Sequence, residues 1–218
     1  MSLFDLPSRV GRLVLASGSP RRVQLLREAG FDPQVMPQDV DETPLPGEKA
    51  YDLVDRLASL KAHAALPQAR PGDLILAADT TVALEGEELG KPADEAEARQ
   101  MLRRLSGRGH DVYTAVHLIL VGADGSTRES STCELTHVTF FGLAEDEIES
   151  YVATGEPLDK AGAYGIQGAG RMLVRRVDGD YPNVVGLPVA RLVRELGRLM
   201  SGDADTVAES IRMGGAHA

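Results

Sequence analysis

The sequence predicts an α/β fold, and three observations carry the prediction. Residues 13–16 form a short apolar run that passes through small residues straight into a helical pattern. Residues 74–78 are fully apolar and follow the longest amphipathic pattern in the chain, a helix expected over 48–66. Residues 112–121 and 130–141 are rich in β-formers and flank an Ala123-Asp-Gly-Ser turn, which reads as a hairpin. With 218 residues, 43% of them hydrophobic and 26% charged, the chain can bury a real core in one domain or two closely joined lobes.

Charge and cysteine content narrow the function classes. A formal charge of −10 argues against a general binder of nucleic-acid polymers or anionic membranes, which need a basic footprint. A small anion held by a local basic cluster is compatible with it. Cys133 is the one cysteine, so no intramolecular disulfide can form. The first 13 residues lack the apolar core of a signal peptide, and no run reaches the roughly 18 apolar residues of a membrane span. The expectation is a cytoplasmic protein. His63, His110, His117, His137 and His217 form no zinc-like spacing with Cys133, so no structural zinc is expected.

Residues 1–12 are polar and aperiodic and are predicted to be a flexible leader. After the strand at 13–16, Val23, Leu25, Leu26 and Ala29 mark a helix over 21–29. Ser19 suits its N-cap, Pro20 its first position and Gly30 its end. Arg21 and Arg22 are the anomaly, because cations in a first turn oppose the helix dipole at about 0.3–1 kcal/mol each. An anion is therefore expected there. Free backbone N–H groups, Ser17, Ser19, Gly18 and two guanidinium forks suit a phosphate or polyphosphate, the alternative being two solvated arginines.

Residues 33–46 hold Asp39, Asp41 and Glu42 among prolines, either as a solvated acidic loop or as a source of a metal ligand or general base. On the 48–66 helix, Tyr51, Leu53, Val54, Leu57, Ala58, Leu60, Ala62, Ala64 and Ala65 fill an apolar arc with Lys61 in its middle. Lys61 must snorkel out or meet an anion. Asp79 is expected where the 74–78 strand gives out, a favoured location for ligands in open α/β sheets, with an Asx-turn or helix cap as the alternative. Lys91 sits on a Gly/Pro bend, as a surface lysine or a site residue. Asp94 caps a helix whose Ala98, Met101, Leu102 and Leu105 form a stripe ending near Gly107.

Residues 145–154 predict a helix with Ile148, Tyr151 and Val152 inward, poorly capped by Ala144 and ended by Gly155. Five glycines then fall within residues 155–170, so backbone must turn sharply or approach something closely; Lys160 and Gln167 are the polar groups this segment can present. A strand is expected at 172–177, a turn at Asp178-Gly179 and a last helix over 189–200 with Leu192, Val193, Leu196 and Leu199 on one face. Residues 201–218 read as a mobile tail, leaving 13–200 as a single catalytic domain.

Ala16-Ser-Gly-Ser-Pro-Arg-Arg22, Asp41-Glu42, Lys61-Ala62, Ala78-Asp-Thr80, Gly90-Lys-Pro92, Tyr113-Thr-Ala-Val116, the run 159–168 and Asn183-Val-Val-Gly-Leu-Pro188 occur in this order. In that, the chain resembles the Maf-like nucleotide pyrophosphatases from about residue 13 to about residue 199. The resemblance implies a mixed sheet flanked by helices, with two lobes around a central cleft, the Maf and inosine-triphosphatase-like architecture. It also implies divalent-metal-dependent cleavage, with Mg2+ or Mn2+, of a nucleoside triphosphate to the monophosphate and pyrophosphate, and suggests a homodimer.

Carried over by position, the resemblance makes Asp79 the catalytic base, with Lys61, Lys91, Arg22 and Glu42 as active-site groups and Ser17 and Ser19 at the phosphate end. It assigns no metal ligands. Arg21, Thr80 and Gln167 match the positions that sort substrates, and they resemble the group acting on dTTP and UTP rather than 7-methyl-GTP. A glutamine amide offers the donor and acceptor that match O4 and N3–H of uracil or thymine. The rivals are a nucleotide-responsive regulator of septum formation without catalysis, and a purine-directed house-cleaning pyrophosphatase. Arg21, Arg22 and Lys61 are expected to crowd one another, so that replacing them by Ala leaves the ligand-free fold intact or slightly improved.

Overall fold

A computed structural model describes residues 3–201. One seven-stranded mixed sheet runs in the order β2-β1-β3-β5-β6-β7, with β4 paired to the far end of β3. The strands are β1 (Leu13–Leu15), β2 (Pro33–Val35), β3 (Leu74–Leu84), β4 (Glu87–Leu89), β5 (Gly109–Val121), β6 (Thr127–Phe140) and β7 (Val174–Asp178). β1 pairs in parallel with β2 and β3, and every other pairing is antiparallel. The mixed α/β class and the central hairpin are as expected; the hairpin is longer than its richest β-former runs, pairing from Gly109↔Thr139 to Val121↔Thr127.

Alternation along the strands divides the helices between two faces. Leu13, Leu15, Leu74, Leu76 and Ala78 point to the larger core, shared with α2 (Pro20–Glu28), α4 (Glu95–Leu105), α5 (Glu145–Val152) and α7 (Val189–Ser201). Val14, Ala16, Ile75 and Ala77 point the other way, onto Ala62 and Ala65 of α3 (Ala50–Ala65). Small side chains on both partners let α3 lie close against the sheet.

Several local expectations need correction. The segment predicted to be a flexible leader makes a 3-10 turn, Leu3–Asp5, and a short helix α1 (Leu6–Arg9), with Leu6 fully buried beside Gly197 of α7. A four-residue helix is too short to display a period. β3 does not give out at Asp79 but continues to Leu84, because β5 pairs with it throughout. Tyr51 and Leu60 of the predicted apolar arc are exposed. β2 and the short helix α6 (Tyr181–Val185) lie in segments with too few residues to show periodicity. Residues 202–218 of the predicted tail lie outside the described residues.

Candidate active site

The site lies where β1 ends and β3 goes on. β1 pairs with Leu74–Leu76 and β4 with Val82–Leu84, so one edge of β3 is uncovered between them, at Asp79 and Thr80. Strand alternation sends these neighbours to opposite faces. Asp79 turns towards α3, where Lys61 Nζ lies 2.6 Å from its Oδ1. Thr80 turns towards α2 and accepts a hydrogen bond from Arg22 Nη2 at 3.1 Å.

Lys61 settles its alternatives by meeting anions. Its ammonium is buried and contacts Glu42 Oε1 as well as Asp79 Oδ1, each at 2.6 Å. Burial would raise the Glu42 carboxyl, but the Lys61 hydrogen bond and the charges of Lys61, Lys91 and Arg22 outweigh it and hold the pKa below its ordinary value. The acidic loop is not merely solvated. Asp41 Oδ1 accepts from Thr43 N at 2.9 Å, and Arg56 of α3 donates to Thr43 O and to the Glu48 carboxylate. The Arg56 bond, with one from Leu45 N, holds Glu48 down at about 2. Those bonds fasten the loop that carries Glu42 to the helix that carries Lys61.

Arg22 is buried and donates to three acceptors: Gly186 O at 2.9 Å, Ser17 Oγ at 2.9 Å and Thr80 Oγ1 at 3.1 Å. Burial lowers its pKa from the ordinary value. Behind Thr80, Thr114 Oγ1 lies 2.9 Å away and donates to Asn183 O, so β5 and α6 brace the arginine indirectly. Arg22 and Lys61 are each held by protein acceptors, which argues against the expectation that removing them spares the ligand-free fold; Arg21 has only Asp159 near it. Ser19 occupies the N-cap of α2, yet its hydroxyl makes no capping hydrogen bond. The first N–H groups of α2 therefore stay open to a ligand.

The opposite wall is the glycine-rich segment. Glu156 organises it: its carboxylate accepts from Ala169 N at 2.8 Å, Gly170 N at 3.2 Å and Tyr151 Oη at 3.0 Å. Gly168 passes so close that a Cβ there would lie 2.2 Å from the carboxylate, and Gly162 (φ +67°) packs its backbone on Val82 of β3. Arg21 reaches across to Asp159, 3.7 Å away. The Gln167 side chain makes no protein hydrogen bond among the described residues, while its carbonyl accepts from Arg171. Lys91, exposed and likewise unpaired among the described residues, stands at the rim.

The residues that the resemblance assigns all line one cleft of about 1010 Å³, namely Ser17, Ser19, Arg21, Arg22, Glu42, Lys61, Asp79, Thr80, Lys91 and Gln167, whereas Asp39 and Asp41 of the acidic loop do not line it. Sequence reasoning passed over Gly186, Thr114 and Glu156, which act through backbone or through another side chain. Thr114 and Gly186 fall inside two of the motif blocks that carry the resemblance, with no role assigned to either, and Glu156 is an acid at the start of the glycine-rich segment.

The family model described as "Maf-like protein" matches residues 12–199. The chain belongs to the Maf-like protein family. It is 51% identical over 187 residues to a protein of Anaeromyxobacter dehalogenans named dTTP/UTP pyrophosphatase, covering 86% of this chain and 93% of that protein. A Bacillus mycoides protein of the same name is 48% identical over 185 residues, covering 85% of this chain and 94% of that one. The solved Staphylococcus aureus Ham1 protein is 17% identical, with a TM-score of 0.46 over 88% of this chain and all (100%) of that one. In this Maf-like chain the family match runs from the residue before β1 to α7, and so includes every residue of the cleft named above. No helix among the described residues is long and apolar enough to cross a membrane.

Proposed function

We propose that this chain hydrolyses dTTP and UTP to the monophosphate and pyrophosphate, with modified pyrimidine nucleotides as further candidates. The observation that carries the reading is the cleft itself: an uncapped helix N-terminus with Arg22 faces a Glu42–Lys61–Asp79 cluster, and an unengaged amide, Gln167, stands on the other wall. The names of relatives 48% and 51% identical support the same chemistry.

A triphosphate laid along the α2 N-terminus gives Arg22 and Lys91 charge to balance as the pyrophosphate leaves. Water attacks the α-phosphorus, the bond to the α–β bridging oxygen breaks, and Asp79 takes the proton of the water. Lys61, held between two carboxylates, orients Asp79. Because Thr80 supports Arg22, its part in substrate choice is transmitted through the phosphate end.

Lys61 Nζ bridges Glu42 Oε1 and Asp79 Oδ1, so a hard divalent cation such as Mg2+ or Mn2+ would be held by the remaining oxygens of these two carboxylates. When bound, such an ion neutralises triphosphate charge. In isotopically labelled water, the heavy oxygen should appear in the monophosphate. Label in the pyrophosphate, release of orthophosphate, or binding without turnover would overturn the reading, the last in favour of a regulator.

A further inference from the structure

Outside the cleft, three side chains from three elements converge on one point. His63 comes from the last turns of α3, His117 from β5 and Glu129 from β6. Glu129 Oε2 lies 3.1 Å from His117 Nε2 and 3.3 Å from His63 Nε2, and one ligand atom from each residue falls within 4.8 Å of the others. The sheet register explains the approach. His117 is paired with Ala77 on β3, a small residue on the face that α3 covers, and Glu129 is opposite Ile119, one step along the same face.

With His63 neutral, the hydrogen-bond roles do not close unless a cation lies between the groups; a second ring proton would close them as an ion pair with Glu129. His63 Nδ1 is 2.9 Å from the Ser59 carbonyl, which can only accept, so Nδ1 carries a hydrogen in either state of the ring. In the neutral ring Nε2 is then a bare lone pair, aimed at a carboxylate oxygen that also only accepts. A backbone carbonyl fixing the far nitrogen is the arrangement that metal-bound histidines adopt, and His63 has it, whereas Nδ1 of His117 is buried without a partner among the described residues. Zinc bonds to imidazole nitrogen and carboxylate oxygen measure about 2.0–2.2 Å, which sets tetrahedral ligand atoms roughly 3.3–3.5 Å apart. The observed 3.1 and 3.3 Å separations are close to that spacing.

We propose that His63, His117 and Glu129 bind a first-row transition cation of the zinc type, separate from the catalytic cleft, which none of the three residues lines. The His63 and Glu129 side chains are 47% and 35% exposed, so the fourth position faces solvent and takes water. Such an ion fastens α3 to the β5–β6 hairpin two residues from Lys61, and so steadies the helix that presents Lys61 to Asp79. The proposal departs from the expectation of no structural zinc. Spacing rules look for clustered ligands along the chain, whereas these are drawn together by the sheet.

The test uses the full chain, stripped with chelator and titrated with Co2+ in excess Mg2+, which keeps the oxygen-only cleft occupied. One equivalent should give visible d–d absorption that Zn2+ displaces, and Zn2+ should raise Tm. His63→Ala and Glu129→Gln, both at partly exposed positions, should each weaken binding by more than the roughly 10- to 100-fold that loss of an outer-shell partner costs, and abolish the Tm shift. Asp79→Asn should retain both signals. No absorption in the parent chain, which would leave a His63–Glu129 ion pair only, overturns the proposal. So does binding that survives in both site variants, or that is lost in Asp79→Asn.

Discussion

Lys61 Nζ and Asp79 Oδ1 are 2.6 Å apart, the lysine from α3 and the aspartate from β3. Each constrains the other. Asp79 and Glu42 let an ammonium be buried on a helix face otherwise made of alanine, leucine and valine, and the ammonium fixes where the Asp79 carboxylate points. Asp79→Asn should keep that shape while removing the proton acceptor. We expect kcat to fall by about 10²- to 10⁴-fold with triphosphate binding largely retained. Steady-state rates alongside direct binding of a non-hydrolysable dTTP analogue check this; near-normal turnover would remove Asp79 from the role.

Arg22 is expected to stabilise the ligand-free protein in addition to its proposed contact with phosphate. Arg22→Ala takes one donor from Ser17 Oγ and Thr80 Oγ1, which keep Ser19 N and Thr114 Oγ1 as partners, and leaves Gly186 O without its side-chain donor at the base of the cleft. Unpaired buried polar groups cost about 1–3 kcal/mol, so denaturation without ligand should show a loss of that order. Arg21→Ala, whose nearest charge partner is an exposed carboxylate 3.7 Å away, should leave stability unchanged within about 0.5 kcal/mol. Equal stability of the two variants would show that the Arg22 bonds contribute nothing.

Base choice is tested at Gln167. Gln167→Glu replaces a donor and an acceptor by two acceptors, which would oppose O4 of uracil or thymine. The expected loss in kcat/KM for UTP and dTTP is roughly 5- to 150-fold, with a smaller loss for CTP, which has an amino donor at that ring position. Measuring UTP, dTTP, CTP and GTP in both proteins decides it. An unchanged UTP to CTP ratio would mean that Gln167 does not read the base.

The glycine-rich wall depends on Gly168 having no side chain. A Cβ there would meet the Glu156 carboxylate at 2.2 Å, and moving Glu156 releases Ala169 N, Gly170 N and Tyr151 Oη together. Gly168→Ala should therefore raise KM for dTTP by roughly tenfold or more with a smaller change in kcat, because the wall is displaced while Asp79 and Arg22 are untouched. An unchanged KM would show that the wall does not contact substrate.

Stability should depend on pH through His110. The ring is buried against Phe140 and Tyr164, its Nε2 2.9 Å from the Tyr164 hydroxyl, and burial lowers its pKa from 6.5 to about 4, with a smaller contribution from His137. Below 6.5 the unfolded chain takes up a proton that the folded chain refuses until about 4. Folding free energy from this group is complete above 6.5 and declines as pH falls through that window, by about 3 kcal/mol in all. His110→Gln should show a correspondingly shallower acid slope in urea denaturation; parallel slopes would place the ring's ionisation elsewhere.

Much of this protein follows from local sequence. The apolar run of β1, the start and end of α2, the Asp94 cap and the turn of the hairpin are written within a few residues each, so periodicity, turn and capping chemistry are enough to read them. Two cations in the first turn of α2 raise the expectation of an anion there without any fold. What local chemistry cannot carry is pairing across the chain. Whether Lys61 snorkels or is neutralised depends on Glu42 and Asp79 arriving from other elements. Whether β3 stops at Asp79 depends on β5 staying paired beside it. Leu6 is buried only because α7 lies over it, and His63, His117 and Glu129 meet only because the sheet register and the close approach of α3 bring them together. In each case the deciding energy belongs to a pair of groups far apart in sequence, and only the tertiary structure brings those groups within reach.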